Sequence, residues 1–118
     1  INLLLENIKK EYKEFNVPHN IFNMIIEVSE RLLKLKGIMS VILFGSYAKN
    51  KQTKYSDIDV ALVADEFSGV ASEDVKLFLS ALRNHYMVQV QTFNTKYFIK
   101  GDPLIAEIKR TGIEINFG

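Results

Sequence analysis

The chain has 118 residues, 47% of them hydrophobic and 25% charged, with a net charge of +1. That length and balance predict a single domain with one core, and they exclude a charged or low-complexity tail as the main feature. The absence of cysteine excludes disulfides and thiolate metal sites and fits a reducing cytoplasm; no apolar run approaches the roughly 20 residues of a membrane span, and near-neutrality gives no indication of nucleic-acid binding.

The first predicted element is a helix over residues 1–15, with Leu4, Leu5, Ile8, Tyr12 and Phe15 on one stripe and Lys and Glu opposite. The chain opens at Ile1 rather than Met, and with no signal-peptide pattern it reads as a first helix shortened at its start. Pro18 breaks that helix, and a second runs over residues 19–36, with Ile21, Met24, Ile25, Val28, Leu32 and Leu35 on one face and Gly37 at its end. Residues 38–44 form an apolar strand, followed by a turn in which residues 46–49 begin a short helix. Residues 58–64 form the next strand, and Ser72 is the expected cap of a helix over residues 73–85. Residues 87–93 alternate as a strand with one wet face, and Asp102-Pro103 opens a last helix that closes at Gly112. This order predicts an α+β fold: a small mixed sheet with helices packed on one face and the other face open for substrate. Two N-terminal helices (1–36) precede a core-like region (38–116) within a single domain, 1–118.

Chemistry concentrates in residues 45–63, GSYAKNKQTKYSDIDVALV. An apolar strand delivers the backbone into Gly45-Ser46, and a lysine-bearing loop leads through Ser56 to Asp57 and Asp59. Side chains two apart on a strand share a face, so the two aspartates stand together while Ile58, Val60 and Leu62 face the other way. Adjacent carboxylates repel unless a cation lies between them, and a hard divalent ion with oxygen ligands, above all Mg2+, resolves that conflict. Gly45 permits close backbone approach, and the Ser46 hydroxyl and neighbouring N–H groups suit phosphate oxygens. No Gly-Lys-[Ser/Thr] follows, so this is not a Walker A loop. Lys49, Lys51 and Lys54 either solubilise the loop or neutralise phosphate charge. His19 and His85 are isolated and read as structural. Tyr47, Tyr55 and Tyr86 read as packing against the sheet edge, with base stacking as the functional alternative.

This stretch resembles the fingerprint of the DNA polymerase β-like nucleotidyltransferase superfamily, and is similar in particular to the minimal nucleotidyltransferases. The likeness runs over residues 38–116 and ends in Thr111-Gly112-Ile113-Glu114-Ile115, similar to the family's closing segment. The resemblance implies that Gly45, Ser46 and Lys49 hold a nucleoside triphosphate, ATP in the first place. It also implies that Asp57 and Asp59 coordinate Mg2+, and that the protein transfers a nucleoside monophosphate to an acceptor hydroxyl with release of pyrophosphate. The sequence departs from the family twice. Its loop continues Ala48-Lys49-Asn50 where Ala-Arg-Gly is usual: Lys49 keeps the charge without the guanidinium fork, and Asn50 tolerates left-handed backbone. The third carboxylate is missing; Gln89 stands in its place, with Gln91, Asp65 and Glu66 as the next positions to consider. Glutamine is no base and a poor metal ligand, so activity is expected to be impaired. The same resemblance implies an alternative role as the antitoxin-type partner of a helical HEPN-type protein, either modifying it with AMP or neutralising it by binding. The N-terminal helices would then serve a homodimer or partner surface.

Overall fold

Burial along the second strand divides the molecule into two faces. The computed structural model describes residues 18–83 and 85–116; the helix expected over residues 1–15, and the subunit surface inferred from its stripe, lie outside them. The elements are α1 (His19–Leu33), β1 (Ile38–Phe44), β2 (Ile58–Ala64), α2 (Ala71–Asp74), a 3-10 turn (Val75–Leu77), α3 (Leu79–Leu82), β3 (Val88–Asn94), α4 (Thr95–Lys100), α5 (Pro103–Thr111) and β4 (Ile113–Glu114). The sheet order is β3-β2-β1-β4, with β1 antiparallel to β2 and β4, and β2 parallel to β3. No helix among the described residues is long and apolar enough to cross a membrane.

From β2, Ile58, Val60, Leu62 and Ala64 pack with Phe22, Ile25, Val28 and Leu32 of α1, forming the larger core. The apolar spacing of α1 is what makes this contact, and each fully buried Ile or Leu contributes about 1.5–3 kcal/mol. Ion pairs at i,i+4, Glu27–Arg31 (3.1 Å) and Glu30–Lys34 (3.3 Å), lie on its outer side. The Arg31 Nε also donates to the Ala81 carbonyl at 2.8 Å, tying α1 to α3.

The mixed sheet and its helix-covered face match the fold expected from sequence, but the second face is open only in part. Ala61 and Val63 of β2, with Ile42 and Phe93, pack against Ile105 and Ile108 of α5. Thus α5 lies over the middle of the face and leaves its Asp59 end uncovered. Asp102 caps α5 as expected, accepting from the Ile105 N–H at 2.7 Å, with Pro103 in the first turn. At Gly112 an added Cβ would lie 2.4 Å from the Ile108 carbonyl oxygen and 2.7 Å from Ile42 Cγ2, so the helix end passes too close to β1 for any side chain.

The helices differ from expectation in two places. The helix expected over residues 73–85 is broken into α2, the 3-10 turn and α3, and its first cap position is Val70 with no side-chain cap. Ser72 lies inside α2 rather than capping it, and Asp74, the last residue of α2, turns inward. Its carboxylate, 4% exposed, accepts from the Ser68 N–H (2.9 Å) and hydroxyl (3.1 Å), the Gly69 N–H (3.1 Å) and the Thr92 hydroxyl (2.7 Å). The second is α4, which no local spacing signals; Asn94 caps it by accepting from the Lys96 N–H at 3.0 Å.

Burial alone would raise the Asp74 pKa, but its hydrogen bonds to Ser68, Thr92 and Gly69 more than offset this and hold it below the usual carboxylate value. The resulting stabilisation is present above the unfolded-state pKa of about 3.9 and is lost as pH falls through the lower folded-state value. We expect Asp74→Asn to destabilise the fold at neutral pH by about 1–3 kcal/mol and to flatten the acid limb of the stability profile below about pH 4. Denaturant titrations of both proteins across that range measure it; parallel profiles would contradict it.

Candidate functional site

Sheet register assembles the site. Antiparallel pairing sets Phe44 opposite Asp59, and parallel pairing sets Asp59 beside Gln89. Phe44, Asp59 and Gln89 therefore form one row across three strands, with Phe44 packed against the α5 cluster and Gln89 exposed. The backbone then turns at Gly45, with φ +74°. A Cβ at Gly45 would lie 2.3 Å from Asp59 Oδ2 and 3.1 Å from its Cγ, so the carboxylate occupies the space that any side chain here would fill.

Asp59 is half-buried and Asp57, just before β2, is exposed. Desolvation, and then the charge of Asp57, push the Asp59 carboxyl above its usual pKa. Repulsion between the pair is the electrostatic signature of a site that gains by holding a cation. Two neighbouring carboxylates are hard oxygen donors, a chemistry that suits Mg2+. No cluster of three or more His, Cys, Asp or Glu side chains placed to hold a metal occurs among the described residues.

Residues 45–50 form a tight turn rather than the short helix expected over 46–49. The Lys49 N–H donates to the Gly45 carbonyl (3.1 Å), Asn50 to Tyr47 (3.4 Å) and Lys51 to Ser46 (2.8 Å). Asn50 takes the left-handed conformation anticipated for it, φ +57°. In this turn the N–H groups of Ser46, Tyr47 and Ala48 meet no backbone acceptor among the described residues. Together with the Ser46 hydroxyl they can receive anionic oxygens. Ser56 has a structural task, accepting from the Thr53 N–H at 2.8 Å to shape the approach to Asp57.

The sequence profile of the nucleotidyltransferase domain family matches residues 25–115, which takes in α1 from Ile25 as well as the whole sheet. The chain belongs to the nucleotidyltransferase domain family. A candidate protein adenylyltransferase of Methanocaldococcus jannaschii is 40% identical over 56 residues, 48% of this chain and 42% of that protein, so the chain spans under half of that relative's length. A solved structure of a candidate nucleotidyltransferase from Sulfolobus solfataricus shares the fold, with a TM-score of 0.57 over 78% of this chain and 76% of that one at 15% identity.

Within this nucleotidyltransferase domain, Gly45, Ser46, Asp57, Asp59 and Gln89 gather at one end of the sheet. Gln91 pairs with Ala61, one row farther from the carboxylates, and Asp65 and Glu66 follow the opposite end of β2. Asp65 is six residues from Asp59, about 20 Å along a strand, so neither acid reaches the Asp59 end of the sheet. Tyr47 is buried as expected, whereas Tyr55 (82% exposed) and Tyr86 (87%) pack against no sheet edge. Lys49 is turned toward α5, its Nζ 3.1 Å from Glu107 Oε1, while Arg110 Nη2 lies 2.6 Å from the other oxygen of that carboxylate. These two hydrogen bonds, from Arg110 and then Lys49, hold the Glu107 carboxyl below its usual pKa. Nothing in the local spacing identified Glu107, because the contact joins segments far apart in sequence.

The Gly45–Asp59 contact yields a direct prediction. Gly45→Ala would force the Asp59 carboxylate aside and add left-handed strain of about 1–2 kcal/mol. We expect nucleotide affinity to fall by at least about tenfold, roughly 1.4 kcal/mol, in a variant that still folds. Calorimetry checks the affinity and circular dichroism the fold; unchanged affinity would show that the close approach is incidental.

Proposed function

We propose that this nucleotidyltransferase domain binds ATP with Mg2+ and transfers AMP to a hydroxyl on a partner protein, slowly for want of a third carboxylate. The observation that carries the reading is Asp59 wedged against Gly45, coupled to Asp57 and in register with Gln89. Protein as the acceptor class is supported by the name of the Methanocaldococcus jannaschii relative. A helical HEPN-type protein is the partner the family resemblance brings forward. ATP and Mg2+ are plentiful in a reducing cytoplasm, the compartment this reading calls for.

Asp57 and Asp59 would hold Mg2+, which when bound supplies charge neutralisation and alignment of phosphate oxygens. The remaining work falls to the chain itself. The N–H groups of the Ser46–Ala48 turn and the Ser46 hydroxyl bind the β- and γ-phosphates, fixing the α-phosphate beside the β2 end. The acceptor oxygen bonds to the α-phosphorus as the bond to the pyrophosphate oxygen breaks. The acceptor's proton leaves to water, because Gln89 orients a hydroxyl through its amide but takes no proton.

Calorimetry with a non-hydrolysable ATP analogue tests the reading. Binding is expected in Mg2+ and is expected to weaken by more than about tenfold when EDTA removes the metal. Absent binding, or equal affinity with and without metal, would contradict it.

A further inference from the structure

We propose that Lys49 and Arg110 form one cationic clamp for the nucleotide's terminal phosphates, and that the Glu107 carboxylate holds the place of a phosphate until the nucleotide arrives. This inference rests on the nucleotide-binding reading above and assigns that site two further residues, Arg110 and Glu107.

The geometry is that of an anion held between two cations. Glu107 presents Oε1 to the Lys49 ammonium at 3.1 Å and Oε2 to the Arg110 guanidinium at 2.6 Å. Lys49 belongs to the turn that starts at Gly45, and its own N–H closes that turn on the Gly45 carbonyl. Arg110 and Glu107 belong to α5, which packs through Ile105 and Ile108 on the same sheet face that carries Asp59. The three side chains thus bridge the phosphate-binding turn and the helix beside it. A phosphate offers the same pair of anionic oxygens at similar spacing as a carboxylate, with more charge.

The exchange is also energetically easy. All three side chains are partly or largely exposed, and ion pairs in that setting contribute little. A triphosphate meeting two cations makes stronger charge-assisted hydrogen bonds than the carboxylate it displaces. Lysine in the loop supplies a point charge without a planar fork, and the Arg110 guanidinium provides that fork from another element. The bland alternative is a solvent-facing ion network that only joins α5 to the turn, and it predicts no change in nucleotide affinity.

The test is calorimetric titration of the full chain with a non-hydrolysable ATP analogue in Mg2+. Glu107→Gln is expected to tighten binding by about two- to fivefold, and Arg110→Ala to weaken it by about tenfold. Adding Arg110→Ala to Glu107→Gln should abolish the gain, and raising the salt should shrink it. Glu30→Gln on α1 removes an equal charge from the other side of the sheet and should leave affinity unchanged. Unaltered or weaker binding by Glu107→Gln, or wild-type affinity in Arg110→Ala, overturns the clamp. If the wild type binds in a metal-dependent way while the clamp variants do not respond, only the clamp falls. Absence of nucleotide binding in every protein overturns both readings.

Discussion

Gln89→Glu is expected to raise pyrophosphate release from ATP by about 10²–10⁴-fold, the range that general-base assistance supplies. Parallel pairing sets residue 89 beside Asp59 on an adjacent strand, so a carboxylate there joins Asp57 and Asp59 on one face without any change in the backbone. Gln89 is exposed, and glutamate has the same length and branching, so the substitution costs little packing. What changes is chemical: glutamate accepts the proton of an attacking hydroxyl and adds a third hard oxygen ligand, and glutamine does neither. Water serves as the acceptor in this assay, which removes dependence on an unidentified partner. Affinity for the non-hydrolysable analogue should change much less than the rate, because on the proposed reading Asp57 and Asp59 hold the nucleotide's metal without residue 89. Brisk release by the wild type, unaffected by Gln89→Ala, would mean that another group is the base.

The parts of this site that the sequence makes legible are local. A glycine at a strand end, a polar loop and two aspartates at alternate strand positions define their own faces, because strand periodicity is fixed. Parity also sets Gln89 and Gln91 on one face of the strand after the helical stretch, and it is the family resemblance that aligns Gln89 with the third acid. What could not be read depends on contacts between distant segments. Asp74 lies in the stretch expected as one helix, and its bond to Thr92, eighteen positions on, is not encoded in any local spacing. The Glu107 bond to Lys49 depends on where α5 crosses the sheet, which no spacing encodes. The same crossing covers Ala61 and Val63 on the face expected to be open. Asn94 caps α4 immediately after β3, leaving no loop between strand and helix to mark the boundary.

Loss of metal-dependent nucleotide binding in Asp57→Asn/Asp59→Asn is the other large effect expected. Both carboxylates become neutral amides, poor ligands for Mg2+, and the site loses its means of offsetting triphosphate charge. The fold should not suffer. Desolvation and repulsion from Asp57 already disfavour the charged form of Asp59, so at neutral pH the neutral pair relieves a penalty and thermal stability should hold or rise. Loss of binding can then be assigned to the site rather than to unfolding.

Titration of a non-hydrolysable ATP analogue, in Mg2+, into the wild type and into Asp57→Asn/Asp59→Asn decides whether the aspartate pair is a metal-dependent nucleotide site. Binding is expected in the wild type, with an affinity lower by at least about 10²-fold, roughly 2.7 kcal/mol, in a double variant whose melting temperature is no lower. Equal affinity in the two folded proteins would contradict it.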